Sequence, residues 1–318
     1  MVIGVGGSDH WKFSTNGLKI ATVAKPPWSH KPHDGKLERI ILSLGRGKGK
    51  FSELHGIPRS LGCIGNNRFI LRDEKIGMEE IEKVVKEFTR VGGQEIYLVN
   101  YDEVEELGEI SRHILASFPG DVFATIRIED IDALEPVEGL KVIVEMEYSE
   151  DALSELKHLK WAHGALIMAK YKEYTELLQQ KVEFPGEVYV DILFPGSLKK
   201  VDFNLFEVKK LLSSSPNRYH SCLAGTISIA ADGYITPCPL LRNFVVGNIR
   251  RDKLWYLPRK KVLNQFWTLT KENIPLCRSC PFKYTCHDCR ALEYQASGEI
   301  CGMEYCEFLG INFNQTPE

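Results

Sequence analysis

Most features that would send a chain into a membrane, out of the cell or onto nucleic acid are missing here. No uninterrupted apolar run approaches the roughly 18 residues that a membrane span needs. The opening, Met1-Val2-Ile3-Gly4-Val5-Gly6-Gly7-Ser8-Asp9-His10, has no basic stretch followed by an apolar one. The expectation is therefore a cytoplasmic chain rather than a secreted one. The net charge of −3 gives no reason to expect nucleic acid or an anionic membrane surface as a partner. Low-complexity tracts and solenoid repeats are also missing, and a chain of 318 residues can build a core without covalent staples. Cysteine is nearly absent from the first 221 residues, where Cys63 stands alone.

That scarcity makes the rest of the cysteine distribution informative. The other eight lie in the last 97 residues: Cys222, Cys238, Cys277, Cys280, Cys286, Cys289, Cys301 and Cys306. The middle four read Cys-x2-Cys-x5-Cys-x2-Cys. A cytoplasmic chain keeps its thiols reduced, so cysteines clustered at ligand spacing point to metal rather than to disulfides. Eight thiols suffice for two four-cysteine iron–sulfur clusters or for two zinc sites. Zinc knuckles usually pair two Cys-x2-Cys units across a longer gap. The x5 spacing, and the early pair Cys222 and Cys238 around Gly233, fit iron–sulfur ligation better.

Upstream, short apolar runs alternate with amphipathic segments. Strands are expected at Arg39–Leu44, Arg68–Leu71, Glu95–Val99, Val122–Ile126, Val142–Met146, Ala165–Met168 and Val188–Leu193. Helices are expected over Met78–Thr89, Val104–Leu115, Asp151–Leu159, Tyr171–Lys181 and Leu205–Leu212. The alternation argues for a mostly parallel sheet with crossover helices. About six units fit an open, partial (β/α)6 TIM-like barrel, with a doubly wound sheet as the competing topology. After Leu212 the texture changes. Ser213–Asn217 reads as a linker, and Thr226–Ile229 with Tyr234–Thr236 reads as a hairpin turning at Ala231-Asp232-Gly233. The rest is poor in apolar periodicity and needs metal to hold it. The expected division is residues 1–213, the α/β partial barrel with an N-terminal extension, and 214–318, a small cysteine-rich domain.

Cys222-x10-Gly233-x4-Cys238, followed by Cys277-x2-Cys280-x5-Cys286, resembles the SPASM domain. Gly247-Asn248-Ile249 and Leu254-Trp255 match the segment after that domain's second cysteine. SPASM domains follow the partial barrel in many radical-SAM peptide and protein maturases. The resemblance implies two auxiliary 4Fe-4S clusters. Cys222, Cys238 and Cys289 would serve one; Cys277, Cys280, Cys286 and either Cys301 or Cys306 would serve the other. The remaining late cysteine is available to complete the first.

The chain also departs from that pattern. Only two residues separate Cys286 from Cys289, where the family usually has three, and two late cysteines stand where one is usual. Radical-SAM enzymes carry Cys-x3-Cys-x2-Cys after the first barrel strand, and three thiolates there leave one iron open for S-adenosylmethionine. Here the strand is followed by Gly45-Arg46-Gly47-Lys48-Gly49-Lys50. The glycine-rich stretch expected after the second strand is replaced by Asn100-Tyr101-Asp102-Glu103-Val104. Both halves of the cofactor site look lost, so S-adenosylmethionine is not expected as a cofactor.

The glycine-rich basic loop 45–50 reads as a flexible, solvated loop; its place at a strand's carboxyl end keeps an anion site in view. His220, two residues before Cys222, and His287, between two cysteines, lie where a side chain could reach a cluster, but lone histidines of this kind read as surface or supporting residues. Glu79-Glu80, Glu105-Glu106 and Glu129-Asp130 read as solvated charge. Trp255, Tyr256, Phe266 and Trp267 read as a packing face. The expected function is an iron–sulfur accessory to a radical-SAM enzyme or its peptide or protein substrate, working by electron transfer or by holding the substrate. A non-redox scaffold with structural metal, and an enzyme using the barrel mouth without S-adenosylmethionine, stay open as alternatives.

Overall fold

The computed structural model describes residues 26–28, 33–49, 62–177, 179–180, 182–193, 218–280, 283, 289–304 and 306. The expected helix Leu205–Leu212, the linker Ser213–Asn217, Cys286 and His287 lie outside the described residues.

Six parallel strands alternate with helical crossovers. In chain order they are β1 (Arg39–Ser43), α1 (Met78–Arg90), β2 (Glu95–Val99), α2 (Val104–Ser117) and β3 (Asp121–Arg127), then β4 (Leu140–Glu147), α3 (Glu150–Leu156), β5 (Gly164–Lys170), α4 (Tyr171–Leu177) and β6 (Glu187–Leu193). A 3-10 turn, Ile128–Ala133, takes the place of a crossover helix between β3 and β4. The strand order runs β6-β5-β4-β3-β2-β1 without reversal. A doubly wound sheet would reverse direction at a switch point. This sheet winds one way and stays open, as a partial barrel.

Alternation along the strands gives the sheet two apolar faces. Ile40, Leu42, Ile96, Leu98, Val122 and Val144 join the helices in one core. Ile41, Tyr97, Val99, Phe123, Ile143 and Leu166 line the other, inner face. Helix α1 illustrates the first side: Ile81, Val84, Val85 and Phe88 are buried at helical spacing. The Glu80 carboxylate accepts from the Gly77 N–H at 3.0 Å to cap its start, and Gly92, at φ +79°, ends it.

The C-terminal region extends this sheet. Strands β7 (Thr226–Ile229), β8 (Tyr234–Thr236) and β9 (Gly247–Asn248) follow β1 in the order β1-β7-β8-β9. β7 pairs parallel to β1 from Arg39↔Thr226 to Leu42↔Ile229, while β8 and β9 are antiparallel. The hairpin turn expected at 231–233 is present, with Gly233 at φ +81°. Its Asp232 is fully buried. That carboxylate accepts from the Arg72 N–H at 2.7 Å and from Arg242 Nη2 at 3.2 Å.

Three expectations fail, each for a physical reason. Arg68–Leu71 is not a strand: β1 is already paired on both sides. The segment keeps one backbone bond, from Phe69 N to the Arg46 carbonyl at 2.7 Å, and leaves Ile70 89 % exposed. The acidic pairs are not simply solvated. Glu80 bonds Arg250 at 2.7 Å, Glu106 bonds Lys75 at 2.6 Å, and Asp130 accepts from Tyr101 at 2.6 Å. The aromatic set divides: Phe266 and Trp267 are buried, Trp267 on helix α5 (Lys261–Trp267), while Trp255 and Tyr256 are exposed.

Asp232→Ala should destabilise the protein by about 3 kcal/mol, because it strips a buried carboxylate from a guanidinium and a backbone N–H. The measurement is the urea midpoint under anaerobic conditions; a shift indistinguishable from zero contradicts this account of the turn.

Candidate metal centre

Each of the first cysteines is fixed by the backbone around it. Cys222 lies in the turn before β7. His220 Nδ1 accepts the N–H groups of Cys222 and Leu223 at 3.0 and 3.1 Å. Burial, with Arg290 and Lys271 nearby, drives that imidazole down to about 3, so it stays a neutral acceptor. Trp28 Nε1 donates to the Cys222 carbonyl at 3.0 Å. His220 thus holds the cysteine turn in place; of the surface and supporting roles its sequence position leaves open, burial selects the second.

Cys238 follows β8, and its sulfur receives hydrogen bonds from the backbone N–H groups of Leu240 and Leu241. Cys289 immediately precedes helix α6 (Arg290–Ser297), whose first N–H groups, from Ala291 and Leu292, bond its sulfur. N–H groups aimed at a sulfur favour its thiolate form, the form a metal needs.

Burial opposes that form. It pushes Cys238 up to about 11; together with repulsion from neighbouring cysteines it raises Cys289 to about 12 and Cys222 well above the ordinary thiol range. The structure adds a fourth sulfur to this group. Cys63, the cysteine that stands alone in the sequence, is 8 % exposed and packs in the inner-face cluster with Leu223, Cys238 and Leu241. Burial raises its thiol first, followed by repulsion from Cys222, Cys238 and Cys289. The sequence carries no spacing signal for Cys63, because 158 residues separate it from Cys222.

A second group lies further on. Cys277 is buried, with its sulfur 4.0 Å from that of Met303. Burial raises its thiol, Lys271 and Arg290 oppose the rise, and Cys306 and Cys280 add to it. Cys306 is therefore the late cysteine beside Cys277. Cys301 lies just beyond α6, where Arg290 Nη1 holds the Ile300 and Gly302 carbonyls at 3.0 Å each.

The donor chemistry fits a metal cluster. Four buried thiols among apolar side chains cannot all ionise without a cation between them. Among the described residues no three cysteine sulfurs lie within 4.8 Å of one another. Four thiolates on a single zinc, at Zn–S of about 2.3 Å, would stand about 3.8 Å apart. The described cysteines do not form a three-sulfur group that close. His33, Asp34 and Glu38 do come within 4.8 Å of each other, but cations are already at hand: Lys36 on Asp34 at 2.7 Å and Arg39 on Glu38 at 2.9 Å.

At the carboxyl ends of β1 to β4, several polar groups are taken up by the chain itself. The Arg46 and Gly47 N–H groups donate to Asp102 Oδ1 at 2.8 and 3.1 Å, and Lys48 Nζ lies 3.3 Å from Asp130. Gly47 is left-handed, at φ +78°, and a Cβ there would overlap the Asn67 carbonyl. This loop is neither free in solvent nor an open anion site, since Asp102 is its anion. Residues 62–67 follow the same logic. The Ile64 carbonyl accepts from Thr125 Oγ1 at 2.6 Å, Asn66 N donates to Glu145 at 2.7 Å and Asn67 N to Asn100 Oδ1 at 2.7 Å. Segments 45–49 and 100–104 are thus bonded to each other.

Cys280→Ala should make the loop-rich stretch from Lys271 onward sensitive to protease while the sheet, including β7, stays resistant, since the strands after residue 218 pack in the apolar core and the second cysteine group lies beyond them. Limited proteolysis with mapped cleavage sites tests it; an unchanged pattern means that metal is not what holds the region.

Residues 222–281 match the SPASM family model, described as an iron-sulfur cluster-binding domain. No curated protein matches the chain. A solved structure, native anSMEcpe with bound AdoMet, superposes with a TM-score of 0.50 at 14% identity, over 85% of this chain and 94% of that one. At that identity the likeness is one of fold. Residues 222–281 are thus a SPASM iron–sulfur cluster-binding domain, carried on an open parallel sheet that shares its fold with the AdoMet-bound anSMEcpe structure.

Proposed function

We propose that this chain is an electron-carrying iron–sulfur accessory to a radical-SAM system that matures a peptide, protein or cofactor. The observation that carries the reading is a pairing of two features. A set of thiols gathers against the sheet's inner face, and polar groups at the carboxyl ends of β2, β3 and β4 are taken up by the chain's own segments 45–49 and 62–67.

The sequence has no Cys-x3-Cys-x2-Cys anywhere, and one thiolate near the first strand cannot hold a cluster with an iron open to S-adenosylmethionine. Clusters held by protein thiolates store and pass electrons. Within the site the protein's own part is to supply thiolates, to stabilise their charge with the N–H groups beside Cys238 and Cys289, and to exclude water with Trp28, Ile64 and Phe266. Sulfur hydrogen bonds and burial are the levers that set a cluster's potential. Arg39 adds positive charge near Cys222. The second reading is a scaffold whose metal is purely structural; the burial of the first group favours it as much as electron transfer, and reversibility of reduction separates the two.

Protein purified without exposure to air should contain about eight irons per chain with matching sulfide, two four-iron clusters' worth, and should be reduced and reoxidised through several cycles without loss of iron. Zinc without sulfide contradicts the iron–sulfur assignment, and clusters that cannot be cycled leave the scaffold reading in its place.

The cluster-loaded, reduced protein alone should form no 5′-deoxyadenosine from S-adenosylmethionine. Chromatography of an anaerobic reaction is the check. Product that disappears in Cys222→Ala or Cys289→Ala would mean that one of these clusters does the chemistry instead.

A further inference from the structure

We propose that Cys63 is the fourth protein ligand of the cluster held by Cys222, Cys238 and Cys289, so that a thiolate from the β1–α1 connection closes a site whose other ligands belong to the C-terminal region. The proposal rests on the iron–sulfur reading above and goes further by completing one ligand set.

Position is the first argument. Cys63 is buried on the inner face of the sheet, in one packed cluster with Leu223, Cys238, Leu241 and Ala291, and Cys222 and Cys289 pack against the same cluster. These neighbours come from three separate stretches of the C-terminal region: the turn before β7, the loop after β8 and the start of α6. An ordinary buried cysteine behaves as a small apolar residue and has no reason to meet three other cysteines. Four thiols that converge from four stretches of chain form a ligand set.

Pre-organisation is the second. The residues just after Cys63 are anchored to three strands: Ile64 to β3 through Thr125, Asn66 to β4 through Glu145, and Asn67 to Asn100 just beyond β2. The backbone that carries the thiol is fixed by the parallel sheet independently of metal. Supporting bonds of this kind are what hold a ligand in productive geometry.

The third argument is the neighbourhood of the late cysteine Cys306. The resemblance to SPASM domains leaves one of Cys301 and Cys306 to complete the first set. Cys306 instead neighbours Cys277 and belongs with the second. The sulfurs that press on Cys63 are those of Cys222, Cys238 and Cys289.

Two consequences follow. With four protein thiolates the first cluster has no open iron and cannot take a substrate directly, which fits an electron carrier. The cluster also becomes a strut: one ligand stands on the sheet's β1–α1 connection and three on the region after residue 218. Its assembly then couples the two parts of the chain as a metal couples folding to binding.

The experiment uses the full-length protein, purified anaerobically, as wild type, Cys63→Ala and Cys63→Ser. Iron and sulfide are assayed and EPR spectra recorded in the oxidised and reduced states. Cys63→Ala should lose between one and four of the roughly eight irons of two four-iron clusters, and the oxidised sample should show the signal of a three-iron cluster or the loss of one cluster altogether. Cys63→Ser offers an oxygen ligand in place of sulfur. It should keep more iron than the alanine variant and give a reduced-state spectrum shifted from wild type, and it decides the matter if the alanine variant fails to fold. Wild-type iron content and wild-type spectra in both variants overturn the ligand assignment while leaving the iron–sulfur reading intact. Wild-type protein that holds zinc and no sulfide overturns the reading and the assignment together.

Discussion

Four sulfur atoms buried in one apolar region carry a constraint that shapes the rest of this molecule. As neutral thiols they pack like small hydrocarbons, but as thiolates they repel one another and have lost their water. Burial and mutual repulsion hold Cys63, Cys222 and Cys289 well above the ordinary thiol range, and burial alone lifts Cys238. Only a multiply charged metal centre reverses that balance. The backbone around the sulfurs is arranged for the reversal. N–H groups point at Cys238 and Cys289, and a neutral His220 holds the Cys222 turn.

The same region depends on strand β1 being paired on both edges. β2 and β7 flank it in parallel register. Arg39 fastens all three, with Nε on Glu95 at 3.2 Å and Nη1 on the Ala224 carbonyl at 3.3 Å and on Thr226 Oγ1 at 3.4 Å. A buried arginine with this many acceptors is satisfied in one geometry only, so it sets the register of the C-terminal hairpin against the sheet. Through that register the turn carrying Cys222 reaches the sheet's inner face. The cysteine-rich region is thus a continuation of the sheet as well as a metal-binding unit.

At the carboxyl edge of the strands, polar groups that elsewhere would be offered to a ligand are used internally. Asp102 takes the loop N–H groups of Arg46 and Gly47, Glu145 takes that of Asn66, and Asn100 takes that of Asn67 while donating to Ser43 at 2.9 Å. Asn100 sits at φ 55°, a conformation asparagine tolerates better than most residues. The segments after β1 and β2 therefore satisfy one another's polar groups.

Much of this was legible in the chain alone. Strands β1 to β6 and helices α1 and α2 follow apolar runs and helical spacing closely, because each buries a face that local periodicity writes directly. The hairpin at Gly233 follows from turn chemistry, and the SPASM cysteines follow from spacing, since ligands that share a short loop must be close in sequence. What tertiary structure alone decided depends on contacts between distant segments. Arg68–Leu71 has the composition of a strand and no free edge to join. Loop 45–49 looks mobile until Asp102, more than fifty residues on, caps its N–H groups. Cys63 has no partner at any short spacing, and it meets Cys222, Cys238 and Cys289 only because β1 pairs with β7 and brings the two ends of the described chain onto one face. Periodicity records what a residue does within its own element, and a metal ligand delivered from another part of the chain leaves no period to read.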